Sequence, residues 1–405
     1  MTDLHKVIVV TGIGVISPCG IGMASLQDRL LSRKSCLAPA KDIYPGFEGT
    51  TAPVGELPEF APGPNARYSR SDRLAMVAAQ DAVADFDRQQ PSFRESGIVM
   101  ASTVGGLSEI DPGIAEDPAA WYRRGGLARA SSYSVARVAA SVGEHLAIHG
   151  PTCAVSVACA SGAMAIAIGA NMLLDGAAPM VLAGGSDALC PFTMSGFTAL
   201  QSLDREPCRP FDRNRKGLNI GEGAAVLVLE TLARARARGA NILAVLRGWA
   251  MTNDAYHPTA PQKQGIGLAQ CIGRAMDMAE CGVDDIGYVN AHGTGTPLND
   301  IAEANAYELA FRGRKLPIPV SSTKSYFGHC LGSAGSIEAA IAISAIRSGA
   351  IYPTLRLTDP IESTAVDWVR GEVRRQPVPM AMSASVGFGG SNTVLLFAKS
   401  GSTAA

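Results

Sequence analysis

The chain has 405 residues, 47% of them hydrophobic, and carries 35 basic against 36 acidic side chains. That length suits two domains or one large two-part fold with a substantial core, and the balanced charge argues against a general nucleic-acid binder or an electrostatically held membrane protein. No apolar run approaches the roughly 20 residues that span a bilayer, and the polar start MTDLHK does not read as a secretory signal.

VIVV (7–10) opens the chain as a strand. Glycines follow it in VIVVTGIGVISPCG as they would in a dinucleotide-binding loop. Ser17 and Pro18 stand where a third glycine belongs, however, and no acidic residue ends a second strand, so a structural turn is expected. The Pro/Gly-rich stretch 53–64 reads as a surface loop ahead of a helix starting near Ser71. GIVMAS (97–102), MVLAGG (180–185) and AAVLVLE (224–230) are further strands, alternating with helical patterns, as in an α/β chain. TLARARARGA (231–240) is a helix ending at a glycine, and NILAVLRGWA opens a new strand after it. The expected division is therefore 1–240 and 241–405. VLLFA (394–398) closes the chain. The nine cysteines form no Cys-x-x-Cys pair, which fits free thiols in a reducing cytoplasm.

Four segments carry chemistry. In SVACASGAMAIAIGANMLLDG a strand runs through Cys159 into a helix so rich in Ala and Gly that it is packed on most sides. A cysteine at that corner faces the positive end of the helix, which would pull its pKa below the free value of about 8.5 and make it a nucleophile. Its own N–H is one of the unpaired donors there, available to an oxyanion. In YVNAHGTGTPLND, His292 stands where a strand meets a loop of glycines and threonines. VSSTKSYFGHCLGSAGSIEAAIA supplies Lys324 and His329 ahead of a small-residue helix, and a buried lysine there would need Glu338 as its partner. SASVGFGGSNTVLLF can offer backbone N–H groups to an oxyanion and hold Phe388 as a movable ring.

In order, CASG, VNAHGTGTPLND, SSTKSYFGH and GFGGSN resemble the β-ketoacyl-acyl-carrier-protein synthases of the elongating, Cys-His-His type. The stretches at 208–230 and 253–261 extend the resemblance over nearly the whole chain. It implies a thiolase-like α/β fold, a duplicated five-layered αβαβα sandwich, in a homodimer or a heterodimer with a sister ketosynthase-like chain. It also implies that Cys159 takes the acyl chain, that its oxyanion is held by the N–H groups of Cys159 and Phe388, and that His292 and His329 stabilise the enolate of a decarboxylating malonyl unit. Lys324 and Glu338 would set the electrostatics of the histidine pair, with Asp300 and Glu303 as supports behind it. Thr259, Thr294 and Thr296 would bond the phosphopantetheine arm; Phe388 would gate; Val104, Met194 and Phe197 would line the acyl pocket. Arg67, Arg70 and Arg73 would meet an acidic acyl carrier protein, which brings the phosphopantetheine, so neither a cofactor nor a metal of the chain's own is expected.

The short stretch between Phe197 and Phe211, and GLNIGEGAA in place of GFVLGEGAG, look more like ketosynthases of polyketide and aryl-polyene clusters than the housekeeping enzyme of fatty-acid synthesis. A non-catalytic chain-length partner of the same fold would lack the cysteine. A degradative thiolase would carry a second cysteine near the C-terminus, and an initiating synthase would have Asn in place of His329.

Overall fold

The computed structural model describes residues 3–40, 52–57, 67–109, 117–123 and 133–401. Numbering only the elements that build the site, the first half runs β1 (Ile8–Ser17), α1 (Arg70–Ala82), β2 (Gly97–Ala101), α2 (Ala136–Leu146), β3 (Thr152–Val155), α3 (Ser161–Leu174), β4 (Val181–Asp187) and β5 (Gly223–Thr231). A six-residue helix, Leu232–Ala237, then ends ahead of Gly239, whose φ is 69°. The second half runs β6 (Ala244–Asn253), α4 (Ile266–Ala279), β7 (Tyr288–Asn290), α5 (Pro297–Ala310), β8 (Ile318–Ser321), the short α6 (Lys324–Phe327), α7 (Ala334–Ser348), β9 (Val366–Trp368), β10 (Met380–Gly387) and β11 (Ser391–Ala398).

The strands pair in the order β9-β8-β7-β10-β11-β6-β1-β5-β4-β2-β3. Each half repeats one pattern: two strands run parallel beside a third (β2 and β3 beside β4, β7 and β8 beside β10), and the next (β5, β11) returns antiparallel between that third strand and the first of its half (β1, β6), while β9 adds parallel to β8 at the edge of the second half. The two first strands meet antiparallel, with Ile8 opposite Leu246 and Val10 opposite Ala244. Helices α1 and α2 cover one outer face and α4 and α5 the other, while α3 and α7 pack together between the half-sheets. This is the five-layered thiolase-like sandwich. Its central layer explains the composition of α3 and α7, because a helix buried all round can carry only small or apolar side chains where backbones meet.

Three local expectations change. The glycines after VIVV lie inside β1 rather than in a turn: a Cβ on Gly12 would sit 2.2 Å from Ala82 O and one on Gly14 1.9 Å from Ala78 O, so their absence lets α1 pack directly on the strand. Of the expected surface loop at 53–64, the described part is buried apart from the half-buried Glu56, with Val54 and Gly55 pairing with Ala38 and Leu37. Residues 58–64 lie outside the described residues. Helix α1 starts at Arg70, because Ser69 and Asp72 form a reciprocal cap: the Asp72 N–H donates to Ser69 Oγ (3.1 Å) and the Ser69 N–H to Asp72 Oδ2 (2.8 Å). All nine cysteines are free thiols. Among the described residues no helix is long and apolar enough to cross a membrane.

Candidate active site

Cys159 stands in the tight connection between β3 and α3. Ala158 before it has φ 50°, a left-handed conformation that costs a non-glycine residue energy. Ser161 pins the turn, its Oγ accepting from the Val157 N–H at 2.8 Å and donating to Ala158 O at 2.5 Å. Cys159 is buried, and burial pushes its thiol up to about 12, against the pull of Lys324, with Asp187 and Glu338 adding to the rise. This corrects the expected thiolate: desolvation outweighs the favourable end of the helix, and the resting sulfur keeps its proton. The Phe388 N–H is directed at the same sulfur. Gly387 makes that approach possible, since a Cβ there would lie 3.0 Å from Val157 O and 3.3 Å from Cys159 N.

His292 follows β7 and His329 follows α6, and their rings meet edge to face with centroids 5.2 Å apart. One ligand atom from each of Cys159, His292 and His329 lies within 4.8 Å of the others. Both imidazoles are buried and held well below the ordinary histidine range, by desolvation first and then by the charge of Lys324, so both are neutral. The Leu331 N–H donates to His329 Nδ1 at 3.1 Å, so the ring hydrogen sits on Nε2. That Nε2 is buried with no partner. At His292, Lys324 Nζ lies 3.2 Å from Nδ1; an ammonium only donates, which again leaves the hydrogen on Nε2. Cysteine with two histidines is a donor set that zinc accepts. Here each Nδ1 already receives a hydrogen bond, so the Nε2 atoms are donors rather than ligands, and the cluster fits a developing anion instead of a cation.

Lys324 spends its three hydrogens on His292 Nδ1, His292 O (2.6 Å) and Glu338 Oε1. Burial pushes Glu338 up to about 7 against the pull of the lysine. Glu303 holds the His292 loop: its two oxygens accept the N–H groups of His292 and Gly293, each at 2.7 Å, and the Tyr307 hydroxyl at 2.7 Å. Asp300 accepts from the Phe211 N–H at 2.7 Å and the Gly295 N–H at 3.2 Å, tying that loop to residues 208–223. The same segment clamps His329, whose N–H donates to Asn219 O and whose carbonyl accepts from Gly221.

A narrow pocket leads to these groups, with Phe197, Thr259, Thr294, Thr296 and Phe388 in its wall beside Cys159 and both histidines. Phe197 and Phe388 stand together in that wall, with ring centroids 5.8 Å apart. Val104 and Met194 do not line this opening; they lie behind it in an apolar cluster with Leu218, Ile220 and Leu331. Arg67 is exposed and Arg73 half-buried. Arg70 is 7% exposed and forms a buried pair with Glu222, its Nε donating to Oε2 at 2.7 Å, which removes it from any carrier-facing surface.

Sequence reasoning missed Asp187. Its carboxylate accepts the N–H groups of Thr103, Val104 and Gly332 and the hydroxyls of Ser102 and Thr103. It thereby ties the apolar pocket to the residues after His329, and its place at the end of a glycine-containing strand gave no sign of that.

A buried cysteine beside two neutral imidazole donors, in a thiolase-like fold, is the arrangement of an acyltransferase. Family models agree over most of the chain: the β-ketoacyl synthase N-terminal domain matches residues 5–235 and its C-terminal domain residues 243–358, so the chain belongs to the β-ketoacyl synthase family. It is 34% identical to a tetracenomycin polyketide synthase ketoacyl synthase alpha subunit of Streptomyces glaucescens, over 98% of this chain and 97% of that one. It is 33% identical to a 3-oxoacyl-[acyl-carrier-protein] synthase 2 of Synechocystis, over 98% and 100%. Among solved structures, the ishigamide ketosynthase/chain length factor superposes with a TM-score of 0.89 at 30% identity, covering 98% of this chain and 99% of that one. A type II polyketide acyl-carrier protein complex with its hexaketide-bound ketosynthase gives 0.86 at 28%, covering 97% and 99%.

Proposed function

We propose that this chain catalyses decarboxylative condensation of a malonyl-carrier thioester with an acyl chain held on Cys159, in fatty-acid or type II polyketide synthesis in the cytoplasm. The observation that carries the reading is the pair of buried imidazoles within 4.8 Å of the Cys159 sulfur, His329 holding a buried Nε2 with no partner and both rings accepting a hydrogen bond at Nδ1. In the first half-reaction the sulfur attacks the carrier-bound acyl carbonyl, its proton goes to the departing phosphopantetheine sulfur, and the N–H groups of Cys159 and Phe388 hold the oxyanion. In the second, the malonyl carboxylate leaves as carbon dioxide. The charge passing to the thioester oxygen is met by His292 and His329, which bind the enolate better than the thioester it came from. The enolate carbon attacks the acyl carbonyl, the Cys159 sulfur departs and regains a proton from solvent, and a β-ketoacyl carrier two carbons longer is released.

Thr259, Thr294 and Thr296 take the polar phosphopantetheine arm. Arg67 remains in the proposed carrier-facing surface, joined by the exposed Arg205 and Lys216, which flank the pocket-wall residues Ser202 and Leu218. The edge strand β3 ends the sheet with Thr152 and Ala154 exposed, which supports pairing with a second chain, a copy or a sister subunit. The two halves divide near residue 240.

The test is acyl loading followed in parallel with decarboxylation. Cys159→Ala is expected to yield no acyl-enzyme by intact mass, while His329→Ala still acylates but loses most malonyl decarboxylation. Full condensation by His329→Ala would overturn the assignment.

A further inference from the structure

Cys19 and Cys36 are separated by seventeen residues and share no motif, yet the fold sets their sulfurs 3.6 Å apart. Cys19 occupies the turn after β1, inside an apolar cluster with Leu26, Leu30, Tyr326 and Phe327. Cys36 is partly exposed on the segment that crosses above it. Its backbone N–H donates to Tyr326 O at 2.6 Å, and the Ser35 hydroxyl reaches Ser325 O and Tyr326 O, each at 3.3 Å. Those bonds hold the Cys36 segment, the Cys19 N–H donates to Ser17 Oγ at 3.3 Å, and a disulfide length of about 2.05 Å requires the sulfurs to close by only about 1.5 Å.

We propose that Cys36 and Cys19 form a reversible dithiol–disulfide site that exchanges with low-molecular-weight disulfides such as glutathione disulfide. Cys36, the accessible member, attacks one sulfur of the incoming disulfide, forming a mixed disulfide and expelling one small thiolate. Cys19 then gives up its proton and attacks the Cys36 sulfur, expelling the second. Two protein thiols are oxidised to one disulfide while one small disulfide is reduced to two thiols, so electrons and protons balance. The asymmetry of the pair fits this order. The hydrogen bond between the two sulfurs lowers the Cys36 thiol and raises that of Cys19, and Arg29 favours the thiolate at both. The chemistry is independent of acyl transfer at Cys159, but the Cys36 bond to Tyr326 attaches the site to α6, the helix that carries Lys324.

The full chain is incubated with glutathione disulfide, quenched in acid, alkylated and mapped without reduction. The wild type is expected to lose about 2 Da, one hydrogen from each thiol, in a form that contains a Cys19–Cys36 crosslinked peptide and reverts with dithiothreitol. Cys19→Ser is expected to stop with one glutathione on Cys36, and Cys36→Ala to leave Cys19 unmodified. A wild type that stays fully reduced, or that accumulates glutathione on Cys36 without the crosslink, would overturn the proposal. Because the wild-type crosslink is decisive by itself, a misfolded variant does not shield the idea.

Discussion

Replacing Lys324 with Met removes a cation with three acceptors: His292 Nδ1, the His292 carbonyl and Glu338. Glu338 is 1% exposed and its second oxygen has no partner, so nothing takes over the pairing. Breaking a buried pair by removing one member costs about 3–5 kcal/mol. For a 405-residue chain, an unfolding entropy of about 2.1 cal/mol/K per residue gives about 0.85 kcal/mol/K, so the thermal midpoint falls by about 4–6 °C. Lys324→Met with Glu338→Leu removes both charges and recovers most of that loss. Catalysis does not recover. Without the ammonium, His292 is free to carry its hydrogen on Nδ1, and loss of one preorganised donor lowers decarboxylation by about 100- to 1,000-fold. Both variants still load an acyl group on Cys159. Calorimetry, carbon dioxide release and intact mass read the three effects separately. A double variant that regains stability and decarboxylation together would refute the claim that Lys324 acts by fixing the His292 tautomer.

Nitrogen-15 NMR of histidine-labelled protein at pH 6 should show His292 and His329 neutral with the hydrogen on Nε2, where an ordinary histidine of pKa 6.5 is mostly charged. Since their folded-state values are depressed, their contribution to stability is complete above 6.5 and is lost as pH falls below it, where the unfolded chain binds protons that the native state refuses. A protonated signal from either ring at pH 6 counts against the burial argument. Val104→Phe fills the apolar cluster behind the pocket and should shorten the longest acyl group trapped on Cys159 from a mixed carrier pool; an unchanged distribution argues against that path for the chain. Arg70→Ala should cost about 3–5 kcal/mol by stranding Glu222 while leaving KM for the carrier unchanged, whereas Arg205→Glu should raise that KM without lowering stability. The reverse pattern would return Arg70 to the docking surface.

The strands were legible because each is a short β-branched or apolar run, and the reacting side chains because Cys159, His292 and His329 each sit where such a run meets small residues. The direction of the Cys159 shift was not: a sequence gives the dipole of α3 but not the depth of burial that opposes it. Arg70 was misread because α1 is rich in alanine on several sides, so periodicity does not tell which face carries the arginine inward to Glu222. Asp187 depends on partners far off in the chain, and the Cys19–Cys36 pair on a chain reversal between residues that share no motif.

The repeat of the fold accounts for where the chemistry lies. Cys159 follows the third strand of the first half, just ahead of α3; Lys324 and His329 follow the third strand of the second, just ahead of α7. His292 follows the second strand of its half, and the corresponding place in the first half holds Ser102 to Val104, bound by Asp187 behind the apolar pocket. In the proposed reaction one duplicated frame thus gives its second-strand loop to the acyl side in one half and to the enolate in the other. The halves meet at the first turns of α3 and α7, where a Cβ on Gly162 would lie 2.7 Å from Gly332 O and one on Gly335 2.7 Å from Ala163 N. Only glycine permits that approach, and it brings two helix N-termini, each with partial positive charge, to one small volume. In the proposed reaction negative charge develops there on each acyl oxyanion and on the enolate, so two converging dipoles would assist those steps while the depth of the site keeps the resting sulfur protonated.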